Sequence, residues 1–317
     1  MSSRLTYALL GYAALWLLWF ARIDDLDRRS ALWTALSLPQ IARASPRPWT
    51  WPKMALRVLS LPLRPASYYS RMSEGASYTA DLYVRDPRLA RQFGSKLFWQ
   101  RTLVAAGLPH PTLYAYRSAS GRVVVVKRMQ RRGLYVLKPV YGGFGRGVRL
   151  VTGAEAMRAL ASSRREVLVQ QYLAECDPGR PPRHFRCVTL VDSPRAFSVS
   201  ELRAKSPHHL ASDLDAGASA RICPLGRCAS LTVAEQRELD GVIRRLARLH
   251  RRRFPGLFAV AWDVMLHCRG GRAAAHVLEA NDFGGVWAHP HTSLEAERRG
   301  MIREFKRRLR LFHGQRA

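Results

Sequence analysis

Two groups of residues in this chain have types and spacings suited to phosphate and metal chemistry. The first lies in "LYVLKPVYGGFGRGVRLV", residues 134–151, where Lys138 sits in an apolar run ahead of Gly142, Gly143, Gly145 and Gly147. Glycines leave backbone amides uncovered, and such amides form concavities that hold anions, to which an ammonium adds a point charge. The stretch is neither a P-loop nor the G-x-G-x-x-G dinucleotide fingerprint. Taken alone, it reads equally well as a hairpin closed by a tight glycine turn. The second group is Asp263 in "LFAVAWDVML" and the pair Glu279 and Asn281 in "AAAHVLEAND". Residues two apart on a strand share a face, and an antiparallel pairing through "CRGGR" brings Asp263 opposite them. Two carboxylates and an amide oxygen among apolar neighbours call for a cation or hydrogen-bonding partners. Hard oxygen donors in this number suit Mg²⁺ that keeps water and phosphate oxygens in its shell. The competing reading is a strand-end Asp followed by a turn-forming "END".

The elements that must carry these residues are legible from about Ser95 onward. "SKLFWQRTLVAAG" is expected to be a helix, with Ser95 as N-cap and Gly107 as stop. "GRVVVVKR" and "LYVLKPV" read as strands joined by a basic turn. Thr152 with Glu155, and Thr232 with Glu235, have capping-box spacing and open two further helices. The second of these carries Leu239, Val242, Ile243, Leu246 and Leu249 on one face. "EVLVQQYL", "HFRCVTLVD" and "AFSVSELRAK" alternate as strands, and the two late strands follow. A basic amphipathic helix from Ser293 to Phe312 closes the chain and is expected to cap the core.

Composition bounds the remaining choices. The chain has 317 residues, 47% of them hydrophobic, so it folds rather than staying disordered. Its net charge of +29 points to an anionic partner. Zinc-finger spacing, an RNP motif and a basic zipper are all missing, so nucleic acid is an unlikely partner. Five cysteines without metal-ligand spacing are expected to be reduced thiols. "LTYALLGYAALWLLWFA", residues 5–21, is uncharged and would span roughly 25 Å as a helix, the short end of a bilayer core. Denser arginines after it place the bulk of the chain on the cytoplasmic side. The expectation is therefore an anchor over 1–22, a membrane-adjacent helical and loop region over 23–94, and a folded domain over 95–317. The alternatives are a helix docked on its own protein, with a soluble cytoplasmic chain, and a cleaved signal peptide.

From about Lys96 to Gly285 the chain resembles the ATP-grasp enzymes, in pattern nearest to ribosomal-protein glutamate ligases and sugar-transfer-associated ATP-grasp proteins. "SKLFWQRTLVAAGLPHPTLYAY" is similar to the family's opening segment and implies Lys96 as the first nucleotide lysine. "VLKPVYGGFGRGV" resembles the Lys-Pro strand and Gly-rich flap, which implies that Lys138 and the four glycines contact phosphates. "VLVQQYLAEC" looks like the adenine hinge, giving Gln171, Tyr172 and Leu173 beside the base and Glu175 at the ribose. "HFRCVTLV" and "SELRAK" match segments with phosphate-facing arginines, here Arg186 and Arg203. "WDVML…LEAND" resembles the magnesium triad, Asp263, Glu279 and Asn281. The chain departs from the pattern at Ala211, Asp213 and Ala218, and at Trp262 where a glycine is usual.

The resemblance implies an α+β ATP-grasp fold, two subdomains (95–173 and 174–317) clasping a nucleotide behind a hydrophobic helical N-terminal region. It implies ATP and two Mg²⁺ ions as cofactors. The implied activity is ATP-dependent ligation of a carboxylate to an amine or thiol through an acylphosphate, in polysaccharide or peptide modification. With the hydrophobic N-terminus, the expected place is the cytoplasmic face of the inner membrane. The alternatives are a kinase on the same scaffold and a non-catalytic nucleotide-binding scaffold.

Overall fold

The computed structural model describes residues 87–141, 145, 147–174, 183–203, 219–223, 226–269, 271–281 and 295–314. These fall into two compact units, one holding residues 93–281, the other α1 (Pro87–Phe93) through Gln92 and α5 (Glu295–Gly314) from Ala296. The larger unit is α+β, with two five-stranded sheets and their helices.

The first sheet has the order β2-β1-β5-β3-β4, from β1 (Leu113–Arg117), β2 (Val123–Val125), β3 (Leu134–Pro139), β4 (Arg149–Thr152) and β5 (Val167–Gln171). Its apolar face, Ala115, Tyr135, Leu137, Val151 and Val169, packs on Ala156 and Leu160 of α3 (Gly153–Ser162). Helix α3 begins at the anticipated capping box, with the Thr152 and Glu155 side chains bonding each other's backbone N–H. Alternation then sends Lys138 to the face away from α3. Between β3 and β4, Gly145 and Gly147 have φ of 64° and 77°, a left-handed backbone that only glycine adopts without strain. The turn reading of these two glycines therefore holds. Gly142 and Gly143 lie outside the described residues.

The second sheet has the order β10-β9-β6-β7-β8, from β6 (Arg183–Leu190), β7 (Ala196–Arg203), β8 (Ser219–Ile222), β9 (Ala259–Arg269) and β10 (Arg272–Asn281), all antiparallel. One face is covered by α4 (Val233–Arg253), whose buried positions include the five expected apolar residues. The short strands β1 and β8 escaped the sequence reading; each has five residues or fewer and too few alternations to stand out.

Two expectations are corrected. Attachment at the inner face of a membrane is not supported, because among the described residues no helix is long and apolar enough to cross one. Helices α4 and α5 have the length, at 21 and 20 residues, but both are studded with arginine. Residues 5–21, which suggested an anchor, lie outside the described residues. The thiols are also not all reduced. Gly226 N–H bonds back to the Cys223 carbonyl, and this turn brings Cys223 and Cys228 to a Cα separation of 4.6 Å, where they form a disulfide. Cys268 is disulfide-bonded too, while Cys187 is free and buried.

Candidate functional site

The start of α2 (Lys96–Ala105) is tied to the end of β3. Ser95 caps the helix, its side chain accepting from Phe98 N–H, and Lys96 N–H donates to the Val140 carbonyl at 3.0 Å. This contact sets Lys96 beside Lys138, two residues before Val140. Both lysines are buried, and both reach the same oxygen of Glu279, Lys96 Nζ at 3.3 Å and Lys138 Nζ at 3.9 Å.

Glu279 is in position because β10 is bulged. The β9–β10 register runs regularly to Val277 opposite Val264, then skips Leu278 so that Glu279 faces Asp263. Without that extra residue Leu278 would oppose Asp263, and Glu279 would turn to the α4 side. The third strand, β6, places Arg186 opposite Asp263. Arg186 grips that carboxylate with two bonds, Nε to Oδ1 at 2.5 Å and one terminal nitrogen to Oδ2 at 3.1 Å. The Asn281 amide donates to Asp263 Oδ2 at 3.0 Å. Lys96, Lys138, Arg186, Asp263, Glu279 and Asn281 thus form one connected cluster.

Burial and pairing set the charges here. Desolvation lowers Lys138 to about 8, with Lys96 adding to the shift while Glu279 and Asp263 resist it. Burial alone would raise Glu279, but the two lysines hold it below its ordinary value. Asp263 goes the other way: desolvation, with Glu279 beside it, raises it in spite of Arg186. Burial keeps His184, two residues before Arg186 on the same face, neutral down to about 4.

Not every anticipated residue joins the cluster. Arg203 shares the α4-facing side of β7 with Glu201, which it contacts at 2.8 Å, and its side chain is 48% exposed. Odd and even positions of β7 face opposite ways, so Arg203 is turned from the face that carries Arg186. Gln171 ends β5 and Tyr172 and Leu173 follow it; Gln171 N–H donates to the Thr112 carbonyl and Leu173 is buried. The segment after β5 is held to the second sheet by Cys268 N–H donating to the Ala174 carbonyl at 3.0 Å. Glu175, Ala211, Asp213 and Ala218 lie outside the described residues. Trp262, on the reverse side of β9 from Asp263, is fully buried, stacks edge-on with Trp99 and donates to Thr189 Oγ1.

Sequence reasoning assigned no role to His184 and overlooked Ser198 and Ser200. Both hydroxyls are buried on β7 without a hydrogen-bond partner. Ser200 is the cross-strand neighbour of Arg186. The signal was available in the "HFR" and "SVS" alternation.

The oxygens of Asp263, Glu279 and Asn281 fit a hard cation. Among the described residues no group of three or more His, Cys, Asp or Glu is gathered for a metal. Two carboxylates and one amide suit Mg²⁺ bound jointly with phosphate and water oxygens better than a site closed by protein alone.

No family model and no curated protein matches the chain. Solved structures do. The chain is similar to an L-amino acid ligase from Bacillus licheniformis at 12% identity and a TM-score of 0.44, covering 67% of this chain and 47% of that one. The ATP complex of D-alanine–D-alanine ligase from Bacillus anthracis matches at 14% identity and a TM-score of 0.40, over 71% of this chain and 69% of that one. The ATP-grasp ligase PsnB with its minimal precursor matches at 15% and 0.45, over 82% and 74%. The chain spans about half the length of the first of these ligases. At such distances the functional argument rests on the side chains of the site.

Proposed function

We propose that this chain is an ATP-grasp ligase, joining a carboxylate to an amine at the expense of ATP. The observation that carries the reading is the neutralised cluster, in which Lys96 and Lys138 meet on Glu279, and Arg186 and Asn281 meet on Asp263. Two buried lysines, the partly buried Arg186 and two carboxylates form a set that Mg²⁺–triphosphate can enter by exchange. The lysines and Arg186 pass to phosphate oxygens, and the carboxylates pass to the metal, so no charge is left bare in the interior. When bound, Mg²⁺ would be held by Asp263, Glu279 and Asn281 and would neutralise charge on the phosphates.

The chain's own part is positioning and charge stabilisation, as phosphoryl transfer requires. The substrate carboxylate attacks the γ-phosphorus, ADP leaves, and the amine then displaces phosphate from the acylphosphate. Lys138 and Arg186 hold the transferred group through both steps. Gln171, Tyr172 and Leu173 take the adenine, and the glycine turn with Lys138 covers the phosphates. The substrate is a small molecule, glycan or peptide precursor presenting carboxylate and amine, in keeping with the motif likeness to peptide- and polysaccharide-modifying ligases.

The test is ADP and phosphate release from Mg-ATP across a panel of carboxylates and amines. Stoichiometric ADP, phosphate and amide, formed only when both substrates are present, is the expected result. A phosphorylated alcohol without free phosphate would make the chain a kinase, and a folded chain that ignores nucleotide in calorimetry would end the reading.

A further inference from the structure

The two buried hydroxyls on β7 have a chemical neighbour already in place. Strand β6 lies between β9 and β7, and its Arg186 is opposite Asp263 on one side and Ser200 on the other. In this structure the guanidinium grips Asp263, with Nε and a terminal nitrogen on the two carboxylate oxygens. Ser200 is 1% exposed, and its Oγ has no partner; Ser198, two residues back on the same face, is 6% exposed and equally unpartnered. Buried hydroxyls without partners are uncommon, because each loses its bonds to water and gains none in return. Solvent does not reach them, so a group that satisfies them must come from the protein, and the cross-strand neighbour of Ser200 is Arg186. Arg186 is a donor, and a hydroxyl oxygen accepts from a guanidinium.

We infer that Arg186 is a two-position side chain, neutralising Asp263 in the nucleotide-free chain and passing to Ser200, with Ser198 behind it, when the metal claims Asp263. This rests on the proposed nucleotide reading and adds to it a positioning role for two serines. Asp263 cannot serve a metal while Arg186 and Asn281 occupy its oxygens, so loading the site must displace the guanidinium. A displaced guanidinium on a side chain only 24% exposed gains from acceptors close at hand. Phosphate supplies some, and the Ser200 hydroxyl fixes the side chain's direction toward them. In the resting state the serines are unsatisfied and Asp263 is paired; in the loaded state the serines are satisfied and Asp263 is on the metal.

Calorimetric titration of the full chain with ADP, with and without Mg²⁺, tests the idea directly. Ser200→Ala should weaken Mg-ADP binding about tenfold, the size of one hydrogen bond to a charged group. Binding of ADP in EDTA should be unchanged, and the thermal midpoint of the free chain should be equal or higher, since an orphaned hydroxyl has been removed. Ser200→Thr, which keeps the hydroxyl, should restore Mg-ADP affinity and guards against a packing explanation. Wild-type binding with an equal affinity in Ser200→Ala overturns the two-position arginine and leaves the ligase reading standing. A loss of equal size with and without Mg²⁺, or a lower thermal midpoint in the free chain, also overturns it. A wild-type chain that binds no nucleotide overturns both.

Discussion

Two polar groupings, one on each face of the second sheet, have opposite character. On the α4 side, His250 is fully buried with Nδ1 at 2.9 Å from Thr189 Oγ1 and Nε2 at 3.0 Å from the Leu257 carbonyl. Thr189 Oγ1 also accepts from Trp262 Nε1 at 2.9 Å, so each polar atom of this His250–Thr189–Trp262 trio is answered by a neutral partner, while the Arg203–Glu201 ion pair lies elsewhere on the same side. On the other side stand Arg186, Asp263, Glu279 and two lysines, all charged, with two hydroxyls left unsatisfied. One strand serves both faces, since Trp262 and Asp263 are adjacent. The difference teaches how this fold divides its labour. A closed neutral network holds one arrangement, whereas ion pairs that can be traded for phosphate and metal leave the opposite face ready to change partners.

The comparison is sharpened first by removing charge from the active face. Glu279→Gln should lower ATP turnover by about a thousandfold, as loss of charge stabilisation at a transferring phosphoryl group does. Circular dichroism should still show a folded chain. On the neutral face the expected damage is to stability instead. Trp262→Ala should destabilise by about 3–5 kcal/mol in urea titration, from the cavity and the lost bond to Thr189. A variant of normal stability would show that this network is dispensable.

The histidines give the next effect. Burial lowers both His184 and His250 to about 4 from an ordinary value of 6.5. The unfolded chain therefore takes up protons below 6.5 that the folded chain refuses until about 4. Stability contributed by the neutral imidazoles is complete above pH 6.5 and is lost as pH falls through that window. Denaturation at several pH values should show the loss, and His250→Gln should flatten the dependence while lowering stability throughout.

A smaller effect concerns Lys138, whose ammonium loses its proton at about 8 in the free chain. Since phosphate contact needs the cation, kcat/KM should fall as pH rises through that value. Lys138→Arg should move the limb to higher pH. The smallest effect belongs to Arg203, which is half exposed and paired with Glu201. Arg203→Ala should alter turnover by less than about twofold, as expected of a partly solvated pair away from the chemistry. A loss comparable with that of Glu279→Gln would return Arg203 to the site.

The long elements were legible because their signals are local. Both capping boxes formed as spaced, and the apolar stripe of α4 is the buried stripe. Local patterns also identified Lys138, Asp263, Glu279 and Asn281 as candidates, while Lys96 and Arg186 came from the family resemblance. That Arg203 lies apart from the cluster was not legible, because strand sequence gives alternation but not which face is which. That choice depends on where α4 packs. The disulfide was missed because a pair of cysteines five apart bonds only when a turn folds them together.

Residue identity by itself therefore determined most of the strands, the helix starts and the stock of charged side chains. Tertiary structure decided which of them meet. Leu278, an unremarkable apolar residue, shifts β10 by one place and turns Glu279 toward Asp263, and the bond from Lys96 to Val140 joins two lysines far apart in sequence. Register and long-range contact are set by packing of whole elements, and that packing energy is not written in any short stretch of chain.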